Sequence, residues 1–126
     1  MRRLREIAAA LAVLAFVHGA FAAEPLVLAV KTALVLRDQT TGEPVLSLTL
    51  MPDSAKAFGE LTAANVGRVV ELRLDGKVVM APVVRDPILG GLVNVSGAFA
   101  PTELEDVADR IARGDVRVEV AVKPAE

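Results

Sequence analysis

The sequence predicts an α+β fold: a mainly antiparallel sheet with two helices on one face, in the order β-β-α-β-β-β-α-β. Three observations lead there. Apolar and polar residues alternate with a period of two in several short runs, the pattern of half-buried strands. Asp75-Gly76 separates two of those runs, and a two-residue turn joins antiparallel neighbours. Two further stretches carry apolar residues at helical spacing, each between strand runs, which suits helices laid on a sheet.

The first strand spans Leu26 to Arg37, with Leu26, Leu28, Val30, Thr32, Leu34 and Leu36 on one face and Val27, Ala29, Lys31, Ala33, Val35 and Arg37 on the other. Asp38 to Pro44 is polar and turn-rich, and Val45 to Leu50 alternates again, so the two runs form a hairpin with a long loop. Asp53 is the expected cap of the first helix, because its carboxylate can accept from free N–H groups of the first turn. Ala55, Phe58, Leu61 and Thr62 then recur at helical spacing, and Gly67 ends the element. Gly59 inside that helix costs about 1 kcal/mol relative to alanine.

Val69 to Leu74 and Lys77 to Val83 flank Asp75-Gly76, the residue pair suited to a type I′ turn with positive φ at both positions. A regular register pairs Leu74 with Lys77, Leu72 with Val79 and Val70 with Ala81, and puts Met80 on the opposite face. Pro82 lacks an N–H, so this strand belongs at an edge or ends there. After a loop with Pro87 and Gly90-Gly91, Leu92 to Ser96 is a short strand. Thr102-Glu103-Leu104-Glu105 reads as a capping box ahead of Leu104, Val107, Ala108 and Ile111 on one helix face. Asp106 with Arg110 and Asp109 with Arg113 are i,i+4 pairs on its polar side. Val116, Val118, Val120 and Val122 alternate with Asp115, Arg117, Glu119 and Ala121, a last strand with one wet face.

Residues 1–22 read as a signal peptide. Arg2, Arg3 and Arg5 precede an apolar run from Ile7 to Val17, and Ala20-Phe21-Ala22 offers small residues for cleavage before Ala23. The run is shorter than the roughly 20 residues a membrane span needs; an uncleaved anchor is the alternative. Residues 23–126 then form a single exported, periplasmic domain with no membrane span. Three arginines, Glu6 and His18, the sole histidine, leave with the signal, giving a formal net charge of −4. With no cysteine there is no disulfide, and the core must rest on Val, Leu, Ile and Ala. An acidic chain whose remaining aromatics are Phe58 and Phe99 is unsuited to nucleic acid.

Chemistry-bearing constellations are absent from the sequence. Ser47, Ser54 and Ser96 have no histidine to serve as base. Glu103, Glu105, Asp106 and Asp109 suit the N-terminal half and wet face of a helix, and they lack the ligand spacing of a calcium loop. Gly90-Gly91 lacks the spacing of a phosphate-binding loop. The chain is therefore read as not an enzyme, with no cofactor and no metal.

From Thr41 to Val120 the ordered motifs resemble the head subdomain of the first periplasmic domain of the SecD/SecDF family. They are Gly42-Glu43-Pro44 before an alternating run, Phe58, Leu61-Thr62 and Asn65-Val66-Gly67, Leu74-Asp75-Gly76-Lys77-Val78-Val79, Ala81-Pro82, Ile88, Gly90-Gly91, Val95, Gly97, Phe99, Ala108 and Arg113-Gly114. The resemblance implies a periplasmic module contacting a polypeptide that emerges from the translocon. Residues 1–126 show no match to the family's base subdomain, membrane helices or transmembrane acids, so its energy coupling is not expected of them. The expected role is non-catalytic binding of extended or translocating polypeptide or of a partner associated with the Sec translocase. A structural or assembly factor of another envelope complex is the alternative. The expected contact is the loop Pro82 to Gly91, holding Val83, Val84, Ile88 and Leu89 out from the sheet edge, with Met80 as a soft neighbour.

Overall fold

The computed structural model describes residues 24–97 and 99–124. The signal expected over residues 1–22, and its cleavage point before Ala23, lie outside the described residues. The chain order is β1 (Leu26–Leu28), β2 (Val30–Arg37), β3 (Pro44–Leu50), α1 (Pro52–Ala64), β4 (Val70–Leu74), β5 (Lys77–Met80), β6 (Leu92–Val95), α2 (Pro101–Ala112) and β7 (Val118–Val122). All named strand pairs are antiparallel, and the fold is α+β.

Pairing divides the strands between two sheets, with orders β1-β7-β4-β5 and β2-β3-β6. The division begins at Ala29. Its N–H donates to Ser54 Oγ at 2.8 Å, and its carbonyl accepts from Met51 N–H at 2.8 Å. These bonds to the start of α1 take Ala29 out of either ladder, so the expected single strand becomes β1 and β2. A register shift between Val30 and Thr32 follows. Beyond it Ala33 and Val35 pack on the core, while Leu34 and Leu36 turn outward and stand half exposed. One extra residue in a strand moves every later side chain to the other face.

One apolar core joins both sheets and both helices, centred on Leu46, Leu48, Leu72, Val95 and Val120. Helix α2 buries Leu104, Ala108 and Ile111, as its spacing predicts. Its N-cap is Ala100 rather than Thr102: Glu103 Oε1 accepts from the Ala100 N–H at 2.9 Å. Proline at the first helical position has no N–H to leave unpaired, so the start falls at Pro101. The same reason places the start of α1 at Pro52, with Met51 as N-cap and Asp53 inside the first turn. Arg113, expected opposite Asp109, meets Asp115 Oδ2 at 3.3 Å.

Of the face expected to be wet, Asp115 and Arg117 are exposed, ahead of β7, but within the strand Glu119 and Ala121 are buried. β7 lies between β1 and β4, and Glu119 sits beside Val27 and Arg73 with its carboxylate 3.1 Å from Arg117 Nε. Asp75 and Gly76 both have positive φ, at 50° and 85°, as the turn requires. Asp75 does more than turn the chain. Its Oδ1 accepts from Arg117 N–H at 2.8 Å and its own N–H donates to Arg117 O at 2.9 Å, tying the hairpin to the approach of β7.

The hairpin register departs from the expected one. Leu74 faces Lys77, but Leu72 faces Met80 rather than Val79, with the irregularity between Leu72 and Arg73. Val70 N–H then donates to Pro82 O at 3.0 Å, so Val70 faces Pro82 rather than Ala81. Val79 is the extra residue of a β-bulge, and Met80 moves from the outer face to a position across from buried Leu72.

Candidate functional site

The segment from Pro82 to Gly91 is fastened at both ends and in the middle. Val69 and Val83 form a bridge, Val84 N–H donates to Arg68 O at 2.9 Å, and Gly67 N–H donates to Val84 O at 2.7 Å. At the far end Leu50 N–H donates to Gly91 O at 2.8 Å. Between them Ile88 N–H donates to Oγ1 of Thr62, a fully buried side chain whose hydroxyl donates back to the carbonyls of Phe58 and Gly59.

Helix α1 provides the surface for this loop with small residues. A Cβ on Gly59 would lie 3.3 Å from Leu89 Cδ2 and 3.4 Å from the Ile88 carbonyl. A Cβ on Gly91, whose φ is +72°, would lie 2.8 Å from Ala55 Cβ. Ala55, Gly59 and Thr62 recur at spacings of four and three, one helical face turned toward loop backbone. The loop is thus held in place by the fold itself, and a contact made on it would carry a reduced ordering cost.

The fastened loop closes one side of a cleft of about 490 Å³. Its inner surface comes from core residues Phe58, Val70, Leu72, Val93 and Val120; its outer parts include Met80, Pro82, Val83, Pro87, Ile88, Leu92 and Asn94. Arg85 and Asp86 are the charged residues of the lining, both exposed. Such a surface can take up apolar side chains, each full burial contributing on the order of 1.5–3 kcal/mol before ordering costs.

Of the five residues expected to contact a partner, Met80, Val83, Val84 and Ile88 line this cleft. Val83 is 47% exposed and Ile88 38%, but Val84 is 5% exposed and belongs to the core. Pairing with β4 continues past Pro82, and its period of two sends Val83 out and Val84 in. Leu89 is 74% exposed but lies elsewhere, over the outside of α1 beside Gly59 and Ala63. Sequence reasoning missed Thr62, Leu92 and Asn94. Thr62 carried one usable signal, a polar residue four positions after Phe58 on the same helical face. Leu92 and Asn94 gave none, since they matter through the position of β6 at a sheet edge.

These features define a class: an α+β domain with an apolar cleft between the edges of two antiparallel sheets. Comparison with known proteins gives the family. Residues 28–118 match the SecDF, P1 head subdomain, and the chain belongs to that family. The protein translocase subunit SecD of Acidaminococcus fermentans is 42% identical over 82 residues, 65% of this chain and 20% of that protein. The translocase subunit SecDF of Thermus thermophilus is 37% identical over 81 residues, 64% of this chain and 11% of that one. A solved structure of SecDF, described as a membrane component that enhances protein export, matches with a TM-score of 0.65 at 34% identity, covering 78% of this chain and 44% of that chain. The chain spans only 16% to 23% of the length of three SecD relatives. No helix among the described residues is long and apolar enough to cross a membrane.

Proposed function

We propose that this chain is a non-catalytic periplasmic module of protein export, which holds extended polypeptide, or a partner associated with the Sec translocase, in the cleft beside Pro82–Ile88. The observation that carries the reading is the apolar cleft itself, with Val83 and Ile88 held at its rim by a loop already fastened to α1. Membership of the head-subdomain family supports the export context. Affinity is expected to be weak, because a small apolar patch has little surplus over the costs of association.

A photocrosslinking residue at Val83 or Ile88, irradiated in intact envelopes, should yield adducts with exported precursors or Sec components. Position 89 serves as the control outside the cleft. Replacing Val83 and Ile88 together with serine should abolish adducts formed through a crosslinker at Asn94 while leaving the far-ultraviolet dichroism unchanged. Val84 is unsuited to this test because it is buried. Adducts confined to an unrelated envelope complex would instead support the structural or assembly role. Intact-mass measurement of the periplasmic fraction tests export: the expected species begins at Ala23, and a full-length membrane-bound species would make the leader an anchor.

A further inference from the structure

We infer that the partner enters as an added antiparallel β-strand on the open edge of β6; this rests on the polypeptide reading of the cleft and specifies how it is met. The direction of the backbone groups follows from one hydrogen bond. Leu50 N–H donates to Gly91 O, and this pair continues the register in which Leu48 faces Val93 and Leu46 faces Val95. Hydrogen-bonded and non-bonded pairs alternate in an antiparallel ladder. Val93 and Val95 therefore spend their N–H and C=O groups on β3. Leu92 and Asn94, which face Thr49 and Ser47, direct theirs the other way. Among the described residues that side is unpaired, since β6 is the last strand of its sheet.

The same edge opens on the cleft. Leu92, Val93 and Asn94 all line it. Side chains of consecutive strand residues point to opposite faces, so three in a row line a cavity when the strand presents its edge. An added strand would find two donors and two acceptors at Leu92 and Asn94, and an apolar floor beside Val93. Arg85 and Asp86 bring opposite charges to the lining, so it favours neither sign and matches an uncharged segment. The geometry also sets the partner's pattern. A residue opposite Leu92 or Asn94 turns its backbone groups toward β6. A residue opposite Val93 turns its backbone away and its side chain toward the floor. The occupant is thus an extended segment with an apolar residue at every second position, recognised through its backbone and tolerant of sequence otherwise.

A fluorescein-labelled peptide of alternating valine and threonine, with lysine at each end, tests this by anisotropy against the purified protein. With valines toward the floor, the threonine nitrogens donate to β6. N-methylation of the threonines should weaken binding about tenfold or more, the scale of two lost hydrogen bonds. N-methylation of the valines should change it less than about twofold, well under the tenfold that 1.4 kcal/mol represents. In amide exchange, the bound peptide should slow Leu92 and Asn94 and leave Val93 and Val95 as they were. Equal binding of all three peptides, or a loss confined to the valine-methylated one, overturns strand addition while the cleft stands as a polypeptide site. Failure of the unmodified peptide to bind overturns both.

Discussion

Helix α2 buries Leu104, Ala108 and Ile111 and packs against β2 and β3, whereas α1 buries Phe58, Gly59 and Thr62 and gives one face to a loop. The difference lies in what each helix touches. Against a sheet, a helix meets side chains and needs an apolar stripe to interdigitate with them. Against loop backbone, it needs closeness and a hydrogen-bond partner, which glycine, alanine and threonine supply. A helix can therefore be well packed on a face that carries no apolar pattern.

The comparison breaks first at α2. Ile111→Ala should lower stability by about 3 kcal/mol, within the range for emptying a core site, as measured by urea denaturation. A loss below about 1 kcal/mol would show that α2 does not close the core.

Gly91→Ala tests the α1 side. The new Cβ would combine a left-handed φ with a 2.8 Å approach to Ala55 Cβ. Strained backbone and overpacking each cost on the order of 1–3 kcal/mol, and the expected sum is about 2.5 kcal/mol. Ala55→Gly alone should cost about 1 kcal/mol, the helix propensity of alanine over glycine, so the contact part shows as a coupling energy of about 1 kcal/mol in the double-mutant cycle, with the φ part left in place. Strict additivity of the two substitutions would mean that the loop does not rest on α1 at this point.

Thr62→Val keeps the shape and removes the acceptor of Ile88 N–H. The expected loss is about 1.5 kcal/mol, the scale of an unsatisfied buried donor, with faster amide exchange at Ile88. Unchanged exchange there would show that the hydroxyl does not hold the loop.

The same contrast explains what could be read in advance. The stripe of α2, the Asp75-Gly76 turn and the edge position of β5 each follow from local chemistry, and the structure has all three. The split between β1 and β2 does not. Leu26, Leu28, Val30, Leu34 and Leu36 are apolar at even positions and Val27, Ala29, Ala33 and Val35 at odd ones, so the pattern accepts either face; the choice is made by Ser54, 25 residues from Ala29. Val79 and Met80 are likewise both apolar, and a bulge between them leaves no mark in a period-two count. The candidate contact segment, Pro82 to Gly91, was legible as a restrained loop beside the cleft, because proline and glycine limit its freedom. Which side chains face outward depended on the bulge, so Val84 was misplaced and the edge of β6 went unseen.

Gly59→Ala is the finest probe of the comparison, because two effects of similar size oppose each other there. Alanine is favoured over glycine inside a helix by about 1 kcal/mol. Against this, the added Cβ would stand 3.3 Å from Leu89 Cδ2 and 3.4 Å from the Ile88 carbonyl. The carbonyl contact is near ordinary van der Waals distance, and Leu89, at 74% exposed, can rotate its methyl groups away. The net change in stability should stay within about 0.5 kcal/mol of zero, the size of ordinary surface substitutions. In a Leu89→Ala background the methyl contact is gone, and the same substitution should stabilise by about 0.5–1 kcal/mol, most of the propensity difference. A loss above about 1 kcal/mol in both backgrounds would place the restraint in the Ile88 backbone. The loop would then sit on α1 too tightly for any side chain at position 59, and glycine there would be a requirement of the cleft's geometry.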